Sequence, residues 1–207
     1  KLRDDILGPK DSHKEDIADG VRFIWIKTTP YQRNNWRRAV NMVSFAWRAY
    51  LIGRRMSEHP DAIIGTSVHP IAPLAAYLLT KKKKSRFFFT VTDLWPQTLI
   101  EMGLISKHNP IVWALRRLEV FLYRRAIRIF SILPYAYEYI ERLGIPKEKI
   151  VWIPNGVDLR YFANIRPYEG GNSHKFTFMY LGGHAPHLGL DVILDSAKIL
   201  QDAGEHR

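Results

Sequence analysis

The chain has 207 residues, of which 46% are hydrophobic and 25% charged; that is enough apolar material for one large core or two small ones, and a folded rather than a disordered chain is expected. It contains no cysteine, so a disulfide framework and a thiolate metal site are excluded, and a reducing compartment, the cytoplasm, is expected. A formal charge of +11, from 31 Lys and Arg against 20 Asp and Glu, calls for an anionic partner: nucleic acid, anionic lipid or a phosphorylated small molecule.

No apolar run approaches the roughly 20 residues of a spanning helix, and the N-terminus has no signal-peptide pattern, so a soluble or peripheral protein is expected. Residues 1–20 are polar and weakly patterned, whereas "VRFIWIKT" alternates as a strand does. A helix follows in "NNWRRAVNMVSFAWRAYLIGRRM": Trp36, Val40, Val43, Trp47 and Leu51 recur at helical spacing, and Asn34 or Asn35 is placed to cap. Arg37, Arg48 and Arg55 share a different face, and the segment has no acidic residue.

"DAIIGTS" predicts a short buried strand, "PIAPLAAYLLT" a helix with proline near its start, and Lys81–Lys84 a solvated turn before the strand Phe87 to Thr92. In "NPIVWALRRLEVFLYRRAIRIF" the residues Ile111, Leu115, Leu118 and Leu122 form one stripe of a basic helix, and Arg117, Arg124 and Arg128 another. "RIFSIL" and "KIVWIP" read as strands, separated by the helix "AYEYIERLG" with Gly144 in its C-cap place. Alternating helices and nearly all-apolar strands predict a doubly wound α/β fold, a parallel sheet covered on both faces. Beyond "PNGVD", the polar connector Asn164 to Lys175 leads into a strand, a Gly-Gly loop and an amphipathic helix, the beginning of a second α/β unit. A chain that begins at Lys1 and stops at "DAGEHR" directly after a helix is expected to be a piece of a longer polypeptide.

Ligands of an open parallel sheet bind beyond the carboxyl ends of its strands. "RFFFTVTDLWPQTLIEMG" places Asp93, Trp95 and Pro96 there, in a crevice rather than in the core. Asp93 is open to three roles: a base, a hydrogen-bond acceptor for a sugar hydroxyl, or the N-cap of the next helix. Gly182 and Gly183 suit a loop whose amides approach a phosphate, or simply a tight turn. His184 and His187 lack a third metal ligand at a convincing spacing, so no metal is expected. Trp36, Trp47 and Trp113 beside cationic side chains suit an anionic bilayer surface; the alternative is that these aromatics are core and the arginines a solvated face. Nucleic acid is not expected as the partner, because neither basic helix shows a helix-turn-helix, RNA-recognition or zinc-finger pattern.

"YIERLGIPKEKIVWIPNGVDLRYF" resembles the join between the two halves of GT-B glycosyltransferases of family 4, which use nucleotide sugars. "VTDLWPQTLIEMGLI" resembles the branch that includes N-acetylfucosamine transferases of O-antigen and capsule assembly. The resemblance covers about residues 21–205. It implies a GT-B-like, Rossmann-like acceptor-side domain at 1–160 whose N-terminal strand is missing. A linker at 161–175 and the first strand and helix of a donor-binding domain at 176–207 would follow. It further implies a retaining transfer from a nucleoside-diphosphate sugar to a lipid-linked or polysaccharide acceptor, such as a polyprenyl diphosphate at the inner membrane, without metal or other cofactor. Asp93 would be catalytic, with Trp95 and Pro96 on the cleft wall, Asn155 and Gly156 at the crossover, and Gly182 and Gly183 near the donor diphosphate. The charge pattern of the two basic helices, rather than the resemblance, leads to the expectation that Arg37, Arg48, Arg55, Arg117, Arg124 and Arg128 face the membrane.

The sequence departs from the family pattern in that Gln97 stands where relatives commonly carry Glu, and Leu188 where a basic residue often precedes Gly-Leu-Asp. The Glu-x7-Glu donor motif is not found, so the polypeptide as it stands is expected not to turn over. A basic nucleic-acid-binding α/β protein and a noncatalytic member of the same fold are the alternatives.

Overall fold

The structure, a computed structural model, describes residues 7–8, 11–31, 36–165, 178–184 and 189–204. The chain divides into two compact units, Lys1–Asn155 and Gly156–Arg207. The first opens with an antiparallel hairpin of β1 (His13–Ala18) and β2 (Val21–Ile26), in which Ala18 faces Val21 and His13 faces Ile26. Its two-residue turn is Asp19-Gly20, with φ of 50° and 77°, the left-handed pair that a type I′ connection requires. Weak apolar alternation in "HKEDIA" predicts no strand, and the structure corrects that: turn chemistry and the partner strand hold β1, not a buried face.

Helix α1 (Trp36–Arg55) is anchored to the segment after β2 by polar bonds. Arg48 Nη1 donates to the Lys27 carbonyl at 2.6 Å, Asn41 Nδ2 to Thr29 O at 2.7 Å and to Thr28 Oγ1 at 2.8 Å, and the Thr29 amide to Ser44 Oγ at 3.1 Å. Its buried residue is Ala46, whereas Trp36, Val40, Val43 and Trp47 are exposed, Trp47 to 60%. The helical spacing was therefore read correctly, but most of the stripe faces outward. The asparagine caps Asn34 and Asn35 lie outside the described residues.

Four parallel strands follow in sequential order: β3 (Ala62–Thr66), β4 (Arg86–Val91), β5 (Ile129–Ser131) and β6 (Ile150–Trp152). Between them run α2 (Ala72–Lys83), α3 (Gln97–Glu101), α4 (Pro110–Arg125) and α5 (Ala136–Arg142), so the class is the expected α/β, a Rossmann-like parallel sheet. Gly65, Phe89 and Ile129 share the face on which α2, α4 and α5 pack. A Cβ on Gly65 would lie 2.9 Å from Pro73 Cα, so glycine is what lets α2 sit close to β3. Phe89 meets the Tyr123 ring edge-on at 5.0 Å, and Leu122, Ala126, Ala136 and Ile140 complete the core. The opposite sheet face carries Ile64, Phe88, Phe130 and Val151; Phe88 stacks on Phe130 at 5.9 Å and Ile64 is 56% exposed.

Lys81–Lys83 form the last turn of α2 rather than a loop, and only Lys84 leaves it, with φ of 58°. Lysine is a good helix former, and its charge is favourable beside the carbonyl end of a helix. Helix α4 begins at Pro110 and is capped by Asn109, whose side chain accepts from the Ile111 amide at 2.8 Å.

In the second unit, Asp158 caps a 3₁₀ turn at Leu159–Phe162, and Gly189, with φ of 64°, leads into α6 (Leu190–Asp202). The strand expected at the start of this unit does not form over its described part, 178–181. A strand is defined by a neighbour's hydrogen bonds, and the second unit has no other strand among its described residues.

Candidate active site at the carboxyl ends of the strands

Asp93 follows β4 by two residues and is exposed. The backbone around it is fixed from β3: the Ser67 amide donates to Thr90 O at 2.9 Å, the Thr92 amide to Ser67 Oγ at 3.0 Å, and Ser67 Oγ to Asp93 O at 3.2 Å. Ser67, itself buried, thus links the ends of two adjacent strands and holds the main chain at position 93. The Asp93 carboxylate makes no hydrogen bond or ion pair among the described residues. The residue preceding α3 is Pro96, with no side-chain cap, so the N-cap role left open for Asp93 is not the one it plays.

The Trp95-Pro96 peptide is cis, and Trp95 is half-buried. Pro96 is fully buried, which corrects its placement on a cleft wall: an apolar ring between β4 and α3 belongs to the core, and a side chain without accessible surface touches no ligand. Thr92 Oγ1 is also buried and has no hydrogen-bond partner among the described residues.

Beyond the end of β3 lies a pocket of about 500 Å³, whose wall includes Tyr31, Arg38, Asn41, Thr66 and His69. His69 Nδ1 accepts from the Ala72 amide at 3.3 Å, and the Phe45 ring lies edge-on to the imidazole at 5.8 Å. Burial, and after it the positive charge of Arg38, push the His69 pKa below the usual histidine range, which favours the neutral ring. His69 and Arg38 were not among the sequence candidates. The signal for His69 was available, since "SVHP" directly follows a strand whose carboxyl end points to a ligand crevice.

The crossover candidates fall in different units, Asn155 closing the first and Gly156 opening the second, and both are exposed. Asp158 is committed locally: its carboxylate pairs with Arg160 at 2.6 Å, and hydrogen bonds from that side chain and backbone hold its pKa below the usual carboxylate range. Gly182 and Gly183 lie in an exposed turn under Tyr180, whose hydroxyl donates to Gly183 O at 2.9 Å. A Cβ on Gly182 would meet that hydroxyl at 2.7 Å, a contact with the mobile end of an exposed side chain that can move aside. His184 lies 6.3 Å from the Tyr180 ring; His187 and Leu188 are outside the described residues. Among the described residues no three His, Cys, Asp or Glu gather as metal ligands would.

The arginine candidates separate. Arg37 lies over the Trp36 ring at 5.8 Å, and Arg117 over Trp113 at 4.7 Å. Arg48 and Arg128 each donate to a backbone carbonyl, Arg128 Nη1 to Glu148 O at 3.0 Å, and Arg128 lies beyond the end of α4 at Arg125, which corrects its place on that helix's basic stripe. Arg55 and Arg124 are exposed. A groove of about 1080 Å³ runs along α4. Under that helix Glu119, 5% exposed, accepts from Tyr123 at 3.0 Å and Tyr139 at 2.9 Å, and burial pushes its pKa up to about 7 against the opposing pull of those bonds and of Arg116. Arg116 in turn donates to Gln97 Oε1 at 2.9 Å.

A parallel sheet with crossover helices defines a Rossmann-like α/β domain, a class whose ligand sites generally lie at the carboxyl ends of the strands. Residues 5–156 match the glycosyl transferase 4-like domain, and the chain belongs to that family of glycosyltransferases. No curated protein matches the chain. Among the described residues, no helix is long and apolar enough to cross a membrane.

Proposed function

We propose that the protein is a retaining glycosyltransferase that moves a hexosyl or N-acetylhexosaminyl group from a nucleoside-diphosphate sugar to a lipid-linked or polysaccharide acceptor in cell-surface glycan synthesis. The domain 1–160 takes the acceptor, a polyprenyl diphosphate presented at the anionic inner leaflet, and residues 176–207 begin the donor side. The observation that carries this reading is Asp93: an exposed carboxylate, without an internal partner, on a backbone fixed by Ser67 at the end of a central strand of a family 4-like domain. A carboxylate left unpaired at that position is available to accept a proton or hydrogen bond from an acceptor hydroxyl. His69 and Arg38 are added as candidates for the acceptor pocket, where a neutral imidazole and a guanidinium suit a hydroxyl and a phosphate. The reaction uses no metal; charge on the departing diphosphate is met by helix amides and basic side chains.

The test is transfer by the complete native polypeptide from a panel of uridine, guanosine and thymidine diphosphate sugars to a polyprenyl-diphosphate saccharide. The anomeric configuration of the product is read by NMR, with and without a chelator. Retention with chelator-independent turnover is expected. Absence of transfer from every donor, or an inverted product, refutes the reading.

A further inference from the structure

We propose that Arg116 is a positioning residue for the reaction, holding the turn that carries Asp93 through its hydrogen bond to Gln97. The inference rests on the role proposed for Asp93. It adds a support from the helix side to the one that Ser67 gives from the strand side.

The turn 93–96 runs directly into α3, and the two are bonded as one piece. The Leu94 carbonyl accepts from the Thr98 amide at 2.7 Å and from Thr98 Oγ1 at 3.0 Å, and the Asp93 carbonyl accepts from the Trp95 amide at 3.2 Å. A shift of α3 is therefore carried to Leu94 and Asp93. Yet α3 has five residues and no side-chain cap, and a helix shorter than roughly 12 residues is marginal in water, so what fixes it comes from outside. Apolar contact at Leu94 and Pro96 holds it against the domain without setting a direction. Among the described residues, one side-chain hydrogen bond reaches α3 from another helix or strand: Arg116 Nη2 of α4 donates to Gln97 Oε1 at 2.9 Å. The Gln97 amide is fixed at its other end too, where Nε2 donates to Glu101 Oε1 at 2.8 Å.

Arg116 stands on a rigid base. Helix α4 is capped by Asn109 and anchored in the core by Val112, Leu122 and Tyr123. The Arg116 guanidinium lies over the Tyr139 ring at 5.6 Å, and that ring is pinned by its hydroxyl, which donates to Glu119 Oε2 at 2.9 Å. Tyr123 donates to the other oxygen of the same carboxylate at 3.0 Å. Directional contacts thus run from a buried carboxylate of α4, through α5, back to α4 and on to α3. Apolar side chains of similar size would fill this space without desolvating a charge, and they would leave the orientation of α3 loose. Orientation is what transfer needs, since a misplacement of about 1 Å at a reacting group costs on the order of 100-fold in rate.

The test is steady-state transfer by the complete native polypeptide and its variants. Arg116→Met and Gln97→Met are each expected to lower kcat by about 10- to 100-fold with KM for donor and acceptor within about threefold. The double variant falls no more than about twofold below the worse single, because the second change breaks nothing further. Gln97→Glu keeps the acceptor for Arg116 and stays within about threefold of the wild type. Thermal midpoints move by no more than about 4 °C, the size of one lost hydrogen bond. Normal kcat in Arg116→Met, losses that multiply in the double variant, or a midpoint shift as large as that of a core change overturns the proposal. Normal turnover in Asp93→Asn refutes the reading of Asp93 instead, so the two failures are distinguishable. A measurement that needs no activity decides the structural half: hydrogen exchange over residues 93–103 is about 10-fold faster in Arg116→Met, while β4 is unchanged. Exchange unaltered over 93–103 overturns the proposal as well.

Discussion

Asp93, just past β4, and Glu119, inside α4, are two carboxylates of one domain in opposite surroundings. The first stands in solvent on a backbone fixed from the neighbouring strand, with its side chain uncommitted. The second has lost its water and is satisfied by two tyrosine hydroxyls. A carboxylate that a fold needs is one whose bonds the fold supplies, whereas one left unsatisfied is available to a ligand.

Substitution at Asp93 separates the two most sharply. Asp93→Asn is expected to lower turnover of the native enzyme by at least about 100-fold, the lower end of what a positioned acid or base contributes, with an unchanged thermal midpoint. A stability loss equal to that of a core change would place Asp93 in the framework with Glu119 and break the comparison.

At Glu119 the expected effect is on stability and depends on pH. Its folded pKa of about 7 lies above the value of 4.5 for an unburied glutamate, so the folded state binds the proton more tightly. The stabilisation is therefore complete at low pH and is lost as pH rises from about 4.5 to about 7. Urea unfolding of the wild type should show roughly 2–3 kcal/mol less stability at pH 8 than at pH 5 from this site. Glu119→Gln should remove that dependence; an identical pH profile in the variant would count against the burial argument.

Smaller effects test the two frameworks. Gly65→Ala, which sets a Cβ against the Pro73 backbone beside the candidate site, should cost about 1–3 kcal/mol in urea unfolding. Gly53→Ala meets the mobile end of Leu79 at 2.8 Å and gains helix propensity, so its net cost should be near zero. Smallest is Asn109→Ala, which removes the α4 cap and should cost about 1 kcal/mol by the same measurement.

Much of this fold is legible in the sequence because strands such as "RFFFTV" are apolar throughout and separated by helical periods. Periodicity does not say which side of a helix is covered. Trp36, Val40, Val43 and Trp47 share a stripe that stays largely exposed although α1 packs on α2, and the tie to the segment after β2 is made by Asn41, Ser44 and Arg48, polar residues that a hydrophobic pattern ignores. Asp93 was legible because it interrupts a strand at its carboxyl end; His69 lay at the same place after β3 and drew no notice without the pocket around it. Glu119 was invisible for the opposite reason, since its tyrosine partners include Tyr139, 20 residues away on α5.

By itself the sequence determined the order and type of most elements of the first unit, the excess of positive charge and the position of Asp93, because these follow from composition and short-range spacing. Only the tertiary structure decided that Pro96 is core, that Arg48 and Arg128 serve backbone carbonyls, and that Arg116, Arg117, Arg124 and Arg125 line one groove. Burial and charge compensation depend on neighbours brought together from distant parts of the chain, and no local pattern records them.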